Sequence, residues 1–100
     1  MFPLTNFELI WIKRAVKSLQ KIPQQYQTRI LENIDKFQTN PDFVDLKKLT
    51  SFSDLYRIRV SDYRIILKVI KQDEKVFVIM IGHRKDIYDI LQTLAKLQLS

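Results

Sequence analysis

Four arginines, one histidine and one tyrosine between residues 57 and 88 carry the chemistry this chain could do. Arg57 and Arg59 alternate with Tyr56, Ile58 and Val60, and Arg64 follows after a short break. Gly82, His83 and Arg84 close a later apolar run, and Tyr88 lies just beyond. An arginine stays protonated in a folded protein, so these guanidinium groups should bind and neutralise anions rather than exchange protons. His83 and Tyr88 are the members of the set that can move a proton. Each residue also has a plainer reading. The arginines could be a solvated strand face, a histidine at a strand end is more often structural or exposed, and a tyrosine at a helix start more often packs. It is the combination that points to a site.

The elements that must position these residues follow from periodicity. At period two, Tyr56, Ile58 and Val60 fall on one face of a strand and Arg57 and Arg59 on the other. After Ser61 and Asp62 the pattern restarts, with Tyr63, Ile65, Leu67 and Val69 in one phase and Arg64, Ile66, Lys68 and Ile70 in the other. Two strands joined by a two-residue turn would pair Val60 with Tyr63, Ile58 with Ile65 and Tyr56 with Leu67, and would set Arg59 opposite Arg64. Like charges facing each other across a sheet cost roughly 0.2–1 kcal/mol, so an anionic ligand is the natural reason to keep them. Ser-Asp is a weak hairpin dipeptide, and a bulge would rotate the partners. In an antiparallel sheet the end of the strand over 75–82 lies beside the start of the second hairpin strand. His83 or Arg84 would then approach Arg64, with Tyr88 one turn further.

Upstream, residues 6–12 read as a short strand. Ala15, Val16, Leu19 and Ile22 recur at helical spacing up to Pro23, and Tyr26, Ile30, Leu31, Ile34 and Phe37 continue a second helix up to Asn40 and Pro41. Pro23 suits a first helical position. Lys13, Lys17, Gln24, Gln27, Lys36 and Gln38 would face water. Residues 41–54 read mostly as loop, compatible with one short strand, with Lys47 and Lys48 exposed. Lys71 to Glu74 is a polar turn. The strand that follows alternates Phe77, Ile79 and Ile81 with Val76, Val78 and Met80, apolar on both faces, so it should be covered on both sides. Ile87, Ile90, Leu91, Leu94 and Leu97 make a last helical stripe, with Asp86 in its first turn. The predicted fold class is α+β: an N-terminal strand, a helical hairpin packed on an antiparallel sheet, and a C-terminal helix.

One hundred residues, 46% of them hydrophobic, suit a single domain over 1–100 that can bury its own core. Seventeen basic against eleven acidic side chains give a net charge of +6. Residues 55–85 hold eight basic and three acidic residues, against eight and six in residues 1–54, so the surplus sits with the strands. A polyanion such as nucleic acid is the natural partner, and an acidic protein fits the same charge. With no cysteine and one histidine there is no metal-ligand spacing, and neither a metal nor a cofactor is expected. The longest apolar run, Val76 to Ile81, is far short of a membrane span, and no signal peptide is evident, so a cytoplasmic protein is expected.

The chain resembles the RelE/ParE superfamily of type II toxins, the toxic halves of toxin–antitoxin pairs. The residues that carry the resemblance are AVKSLQKIP, Asn40 and Pro41, Lys48 and Leu49, LYRIRVSDYRIILKV and IGHRKDIYDIL, spanning about residues 7 to 91. Their spacing favours the RelE branch. The resemblance implies a small toxin that enters the ribosomal A site and cleaves messenger RNA without a metal, restrained by a cognate acidic antitoxin, with DNA contacted only through the antitoxin complex.

Such a cut needs a base for the 2′-hydroxyl, cations for the crowded phosphate and an acid for the departing 5′-oxygen. By the resemblance, Arg64 would contact the scissile phosphate and Arg84, His83 and Tyr88 would complete the catalytic set. Arg57 and Arg59 would line the cleft, with Lys47, Lys48 and Lys68 as further RNA-binding residues. Tyr88 is the candidate base, or a stacking platform for a codon base, and His83 the candidate acid. Some family members carry lysines where this chain has Arg57 and Arg59, so no proton donor is expected there. Two other readings remain open: a gyrase-directed toxin of the ParE branch, and a non-catalytic nucleic-acid-binding relic of the same fold.

Overall fold

The structure, a computed structural model, describes residues 4–99. Along the chain come β1 (Glu8–Trp11), α1 (Lys13–Gln20), α2 (Gln24–Thr39), a single 3₁₀ turn (Pro41–Phe43), β2 (Asp45–Lys48), β3 (Leu55–Val60), β4 (Tyr63–Ile70), β5 (Lys75–His83) and α3 (Arg84–Leu99). The strands form one sheet in the order β1-β5-β4-β3-β2. All neighbours are antiparallel except β1, which joins β5 in parallel. The expected α+β layout holds. The short strand in the 41–54 segment is β2, and it closes the sheet edge beside β3.

The helical hairpin covers one face of the sheet. Ala15, Leu19, Ile30, Ile34 and Phe37 meet Ile58, Val60, Ile65, Leu67, Val76 and Val78 in the main core, all buried. Burying a side chain of this size contributes about 1.5–3 kcal/mol, and this layer supplies most of the driving force. Pro23 caps α2 rather than opening it: its carbonyl accepts from the amides of Tyr26 and Gln27. Two glutamines expected in water are half-buried ties instead. Gln27 donates to the Ile22 carbonyl at 2.8 Å, and Gln38 donates to the Phe7 carbonyl at 3.0 Å, fastening α2 to the segment leading into β1. Leu31, counted with the core stripe, is 46% exposed.

The opposite face carries a smaller core of Leu55, Ile66 and Ile87, with Leu49, Phe52, Met80 and Leu91 against it. Only the first turns of α3 pack there. Ile90, Leu94 and Leu97, expected to continue the buried stripe, are exposed.

The hairpin has the predicted register: Val60 with Tyr63, Ile58 with Ile65, Tyr56 with Leu67, and Arg59 with Arg64. Ser61 supplies the positive φ, 56°, that a primed two-residue turn needs at its first position. The alternation expected for β5 is interrupted. Ile66 pairs with Met80 and Leu67 with Val78, so Ile79 is an extra residue, a β-bulge. Beyond it the phase of β5 reverses. Ile81 turns into the helix-covered core, and Gly82 comes to lie across from Arg64 on the other face.

Candidate functional site

The register across the sheet sets up a row of charges. Asp45 on β2 pairs with Arg59 on β3, Arg59 with Arg64 on β4, and Arg64 with Gly82 on β5. A parallel row begins with Lys47 opposite Arg57. Residues directly opposite in a sheet point to the same side, so Lys47, Arg57, Arg59 and Arg64 share the face away from the helical hairpin. Gly82 clears the end of the row. A Cβ there would stand 3.2 Å from Ile87 Cδ1, so glycine lets the start of α3 lie close on the sheet.

The start of α3 adds the rest. The Arg84 amide donates to the Asp62 carbonyl in the hairpin turn at 2.7 Å, which fixes the helix against the turn. Arg84, Lys85, Ile87, Tyr88 and Leu91 then line a cleft of about 690 Å³ together with Lys47, Leu49, Arg57, Arg59 and Arg64. Its lining combines apolar Leu49, Ile87 and Leu91 with six cations. Tyr88 is 62% exposed, and its hydroxyl accepts from Gln92 Nε2 at 2.9 Å.

The arginines do not sit in equivalent surroundings. Arg59 Nε lies 2.7 Å and Arg57 Nη1 3.6 Å from the two carboxylate oxygens of Asp45. Arg84 is 3.9 Å from Asp62, with both side chains exposed. Arg64 donates from Nη1 to the backbone carbonyls of Ser61 and Tyr63 at 2.9 and 3.0 Å, and those neutral acceptors leave its charge uncompensated. Burial, then the neighbouring charges of Arg57, Arg59 and Arg84, pull its pKa below the ordinary arginine value, and Asp45 pulls the other way. A half-buried cation among cations is a natural seat for an anion.

Arg57, Arg59, Arg64, Arg84, Tyr88 and Lys47 thus come together, and three other sequence-predicted residues do not join them. His83 pairs with Tyr63 and sets its ring edge-on against that ring, centroids 6.3 Å apart, on the side of the helical hairpin. The bulge at Ile79 is the cause, because unbroken alternation would have turned His83 toward the cleft. His83 Nδ1 instead accepts from the Lys85 amide at 3.3 Å, a cap on the first turn of α3. Lys48 pairs with Tyr56 and shares its opposite face. Lys68 is on the cleft side of the sheet but four residues along β4 from Arg64, roughly 13 Å away, where its partner is Asp54 at 3.9 Å.

Two residues of the site were not singled out in the sequence. Lys85 stands three positions before Tyr88, a spacing that puts both on one helix face and could have revealed it. Asp45 had no such signal, because its place beside Arg59 depends on β2 joining the sheet edge.

Residues 9–88 match the family described as the ParE toxin of the type II toxin–antitoxin system parDE. The chain belongs to the ParE toxin family. It is a toxin of a type II toxin–antitoxin system within the RelE/ParE superfamily. Among curated relatives of this family, Toxin RelE3 of Methanocaldococcus jannaschii is 31% identical over 86 residues, covering 82% of this chain and 96% of the relative. Among solved structures, the toxin of the RelB–RelE antitoxin–toxin complex from Methanococcus jannaschii is 32% identical and superposes with a TM-score of 0.69, covering 80% of this chain and 95% of that one. A RelE–RelB complex from Pyrococcus horikoshii OT3 is similar at 31% identity and a TM-score of 0.66, covering 78% and 94%. Both of those toxins were solved with their antitoxins.

Proposed function

We propose that this toxin is a ribosome-dependent, metal-independent endoribonuclease of messenger RNA. The observation that carries the reading is one cleft lined by four arginines and a tyrosine, a side chain able to exchange a proton. Arg64 and Arg84 bind the scissile phosphate and stabilise the charge that builds on it, while Arg57 and Arg59 hold the strand beside it. Tyr88 takes the proton of the attacking 2′-hydroxyl. With His83 on the other face, Lys47 and Lys85 are the remaining cleft residues able to give a proton to the departing 5′-oxygen. The grip is on phosphates, and Tyr88 is the one aromatic ring in the lining that could stack on a base. Sequence selection and strand geometry would therefore come from the ribosome that presents the codon.

No group of three His, Cys, Asp or Glu side chains among the described residues is arranged to hold a metal ion. The partners are an acidic antitoxin that covers the basic cleft, and the ribosome with its message. The setting is the cytoplasm; no helix among the described residues is long and apolar enough to cross a membrane.

Primer extension on messenger RNA in programmed ribosomes, beside naked RNA, tests this reading. Cuts in the ribosomal reaction only, lost in Arg64→Ala with the fold intact, are the expected result. Arg64→Ala cutting as well as the parent would sink the site assignment. The match to the ParE family favours a second reading, a gyrase-directed toxin. That reading requires gyrase–DNA covalent complexes on expression, and it leaves Arg84 and Tyr88 expendable.

A further inference from the structure

Asp45 is an acid set among the cations of the cleft, and its geometry suits a specific task. It is a residue of the edge strand β2, half exposed, directly across from Arg59. One carboxylate oxygen lies 2.7 Å from Arg59 Nε and the other 3.6 Å from Arg57 Nη1, so a single anion spans both charge rows. Two anionic oxygens bridging two guanidinium groups is also how a phosphate would sit there. Without that anion, Arg57, Arg59 and Arg64 would face one another uncompensated.

We propose that Asp45 is a positioning residue that stands in for phosphate: it holds Arg57 and Arg59 in place in the free protein and competes with RNA for them. The proposal rests on reading the cleft as a phosphate-binding site. Its consequence is a cleft that is ordered before RNA arrives yet binds more weakly than its cations alone would allow, which favours release of the cut strand. Asp45 also acts on Arg64 at a distance, since it is the acidic group that opposes the depression of the Arg64 pKa.

The test is binding of a short oligoribonucleotide with 2′-O-methyl sugars, which cannot be cut, measured against salt for the parent, Asp45→Asn, Asp45→Glu and the double variant Arg57→Gln/Arg59→Gln. Asp45→Asn is expected to bind about three- to tenfold more tightly at low salt. Its log–log salt slope should steepen by about 0.7, one more phosphate contact on a single strand. Asp45→Glu keeps the charge and should behave as the parent. In the background of the double variant Arg57→Gln/Arg59→Gln, adding Asp45→Asn should lose its tightening, because both cations it would release are gone. Equal affinity and slope in the parent and Asp45→Asn, or weaker binding by Asp45→Asn that stays folded by circular dichroism, overturns the proposal alone. If Asp45→Asn fails to fold, Arg57→Gln/Arg59→Gln decides. A salt slope shallower by about 0.7 supports the proposal, because Asp45 already cancels one of those two charges, and a slope shallower by about 1.4 overturns it. Salt-insensitive binding, or none, by the parent and every variant overturns the phosphate reading of the cleft together with the proposal.

Discussion

Arg64 meets neutral carbonyl acceptors where Arg59 meets a carboxylate, and that difference is why we propose Arg64 as the cation that takes the scissile phosphate. The proposed base, Tyr88, is exposed on α3 with its hydroxyl bonded to Gln92. Tyr88→Phe removes the proton acceptor and almost no packing. We expect cleavage on programmed ribosomes to fall by about 10²-fold or more, the usual contribution of a general base, with the urea midpoint unchanged. His83 behaves oppositely, because its nitrogen caps a helix and its ring lies against Tyr63. His83→Ala should keep cleavage within about threefold of the parent while costing about 0.5 kcal/mol of stability, the low end for a lost cap. A hundredfold loss of single-turnover rate in His83→Ala would return that residue to the chemistry.

At the level of elements, β5 and the start of α3 decide which side chains meet. The extra residue at Ile79 moves Ile81 into the main core and leaves Gly82 facing Ile87. Gly82→Val would drive its methyls into Ile87, and overpacking of this kind costs about 1–3 kcal/mol. The damage should extend to function, since lifting α3 carries Arg84 and Tyr88 away from Arg64. Denaturation and cleavage measured on the same preparation check both halves; a variant that is destabilised but cuts normally would separate the helix seat from the site. The hairpin shows how far local pattern reaches. Its two strands alternate so cleanly that one register buries both apolar sets, and that register places Arg59 against Arg64.

Across the whole molecule, one sheet separates two different jobs. The face under α1 and α2 is a continuous apolar layer that holds the fold together. The other face has a small core at one end and the cationic cleft at the other, so α3 covers only part of it. A net charge of +6 then biases any polyanion toward that open side. Of the six cleft cations, Asp45 engages two. Its single charge cancels one of theirs, and if the five charges left each met one phosphate, the affinity for single-stranded RNA would fall with a log–log salt slope of about −3.5. A slope near zero in the same titration would mean that the cleft does not bind through phosphates.

Local pattern alone determined the two amphipathic helices, the hairpin with its register, the hairpin arginines on one face, and that His83 or Arg84 would come near Arg64. Each depends on periodicity within one element or across one tight turn, where chain geometry leaves little freedom. Tertiary structure alone decided that His83 faces away, that Lys48 and Lys68 lie outside the cleft, that Asp45 meets Arg57 and Arg59, and that Ile90, Leu94 and Leu97 stay exposed. These depend on a bulge that shifts side-chain phase by one residue, and on which strands and how much of a helix the sheet finds room for. A one-residue shift leaves apolar composition unchanged and exchanges the faces, so it becomes visible only once β5 is paired.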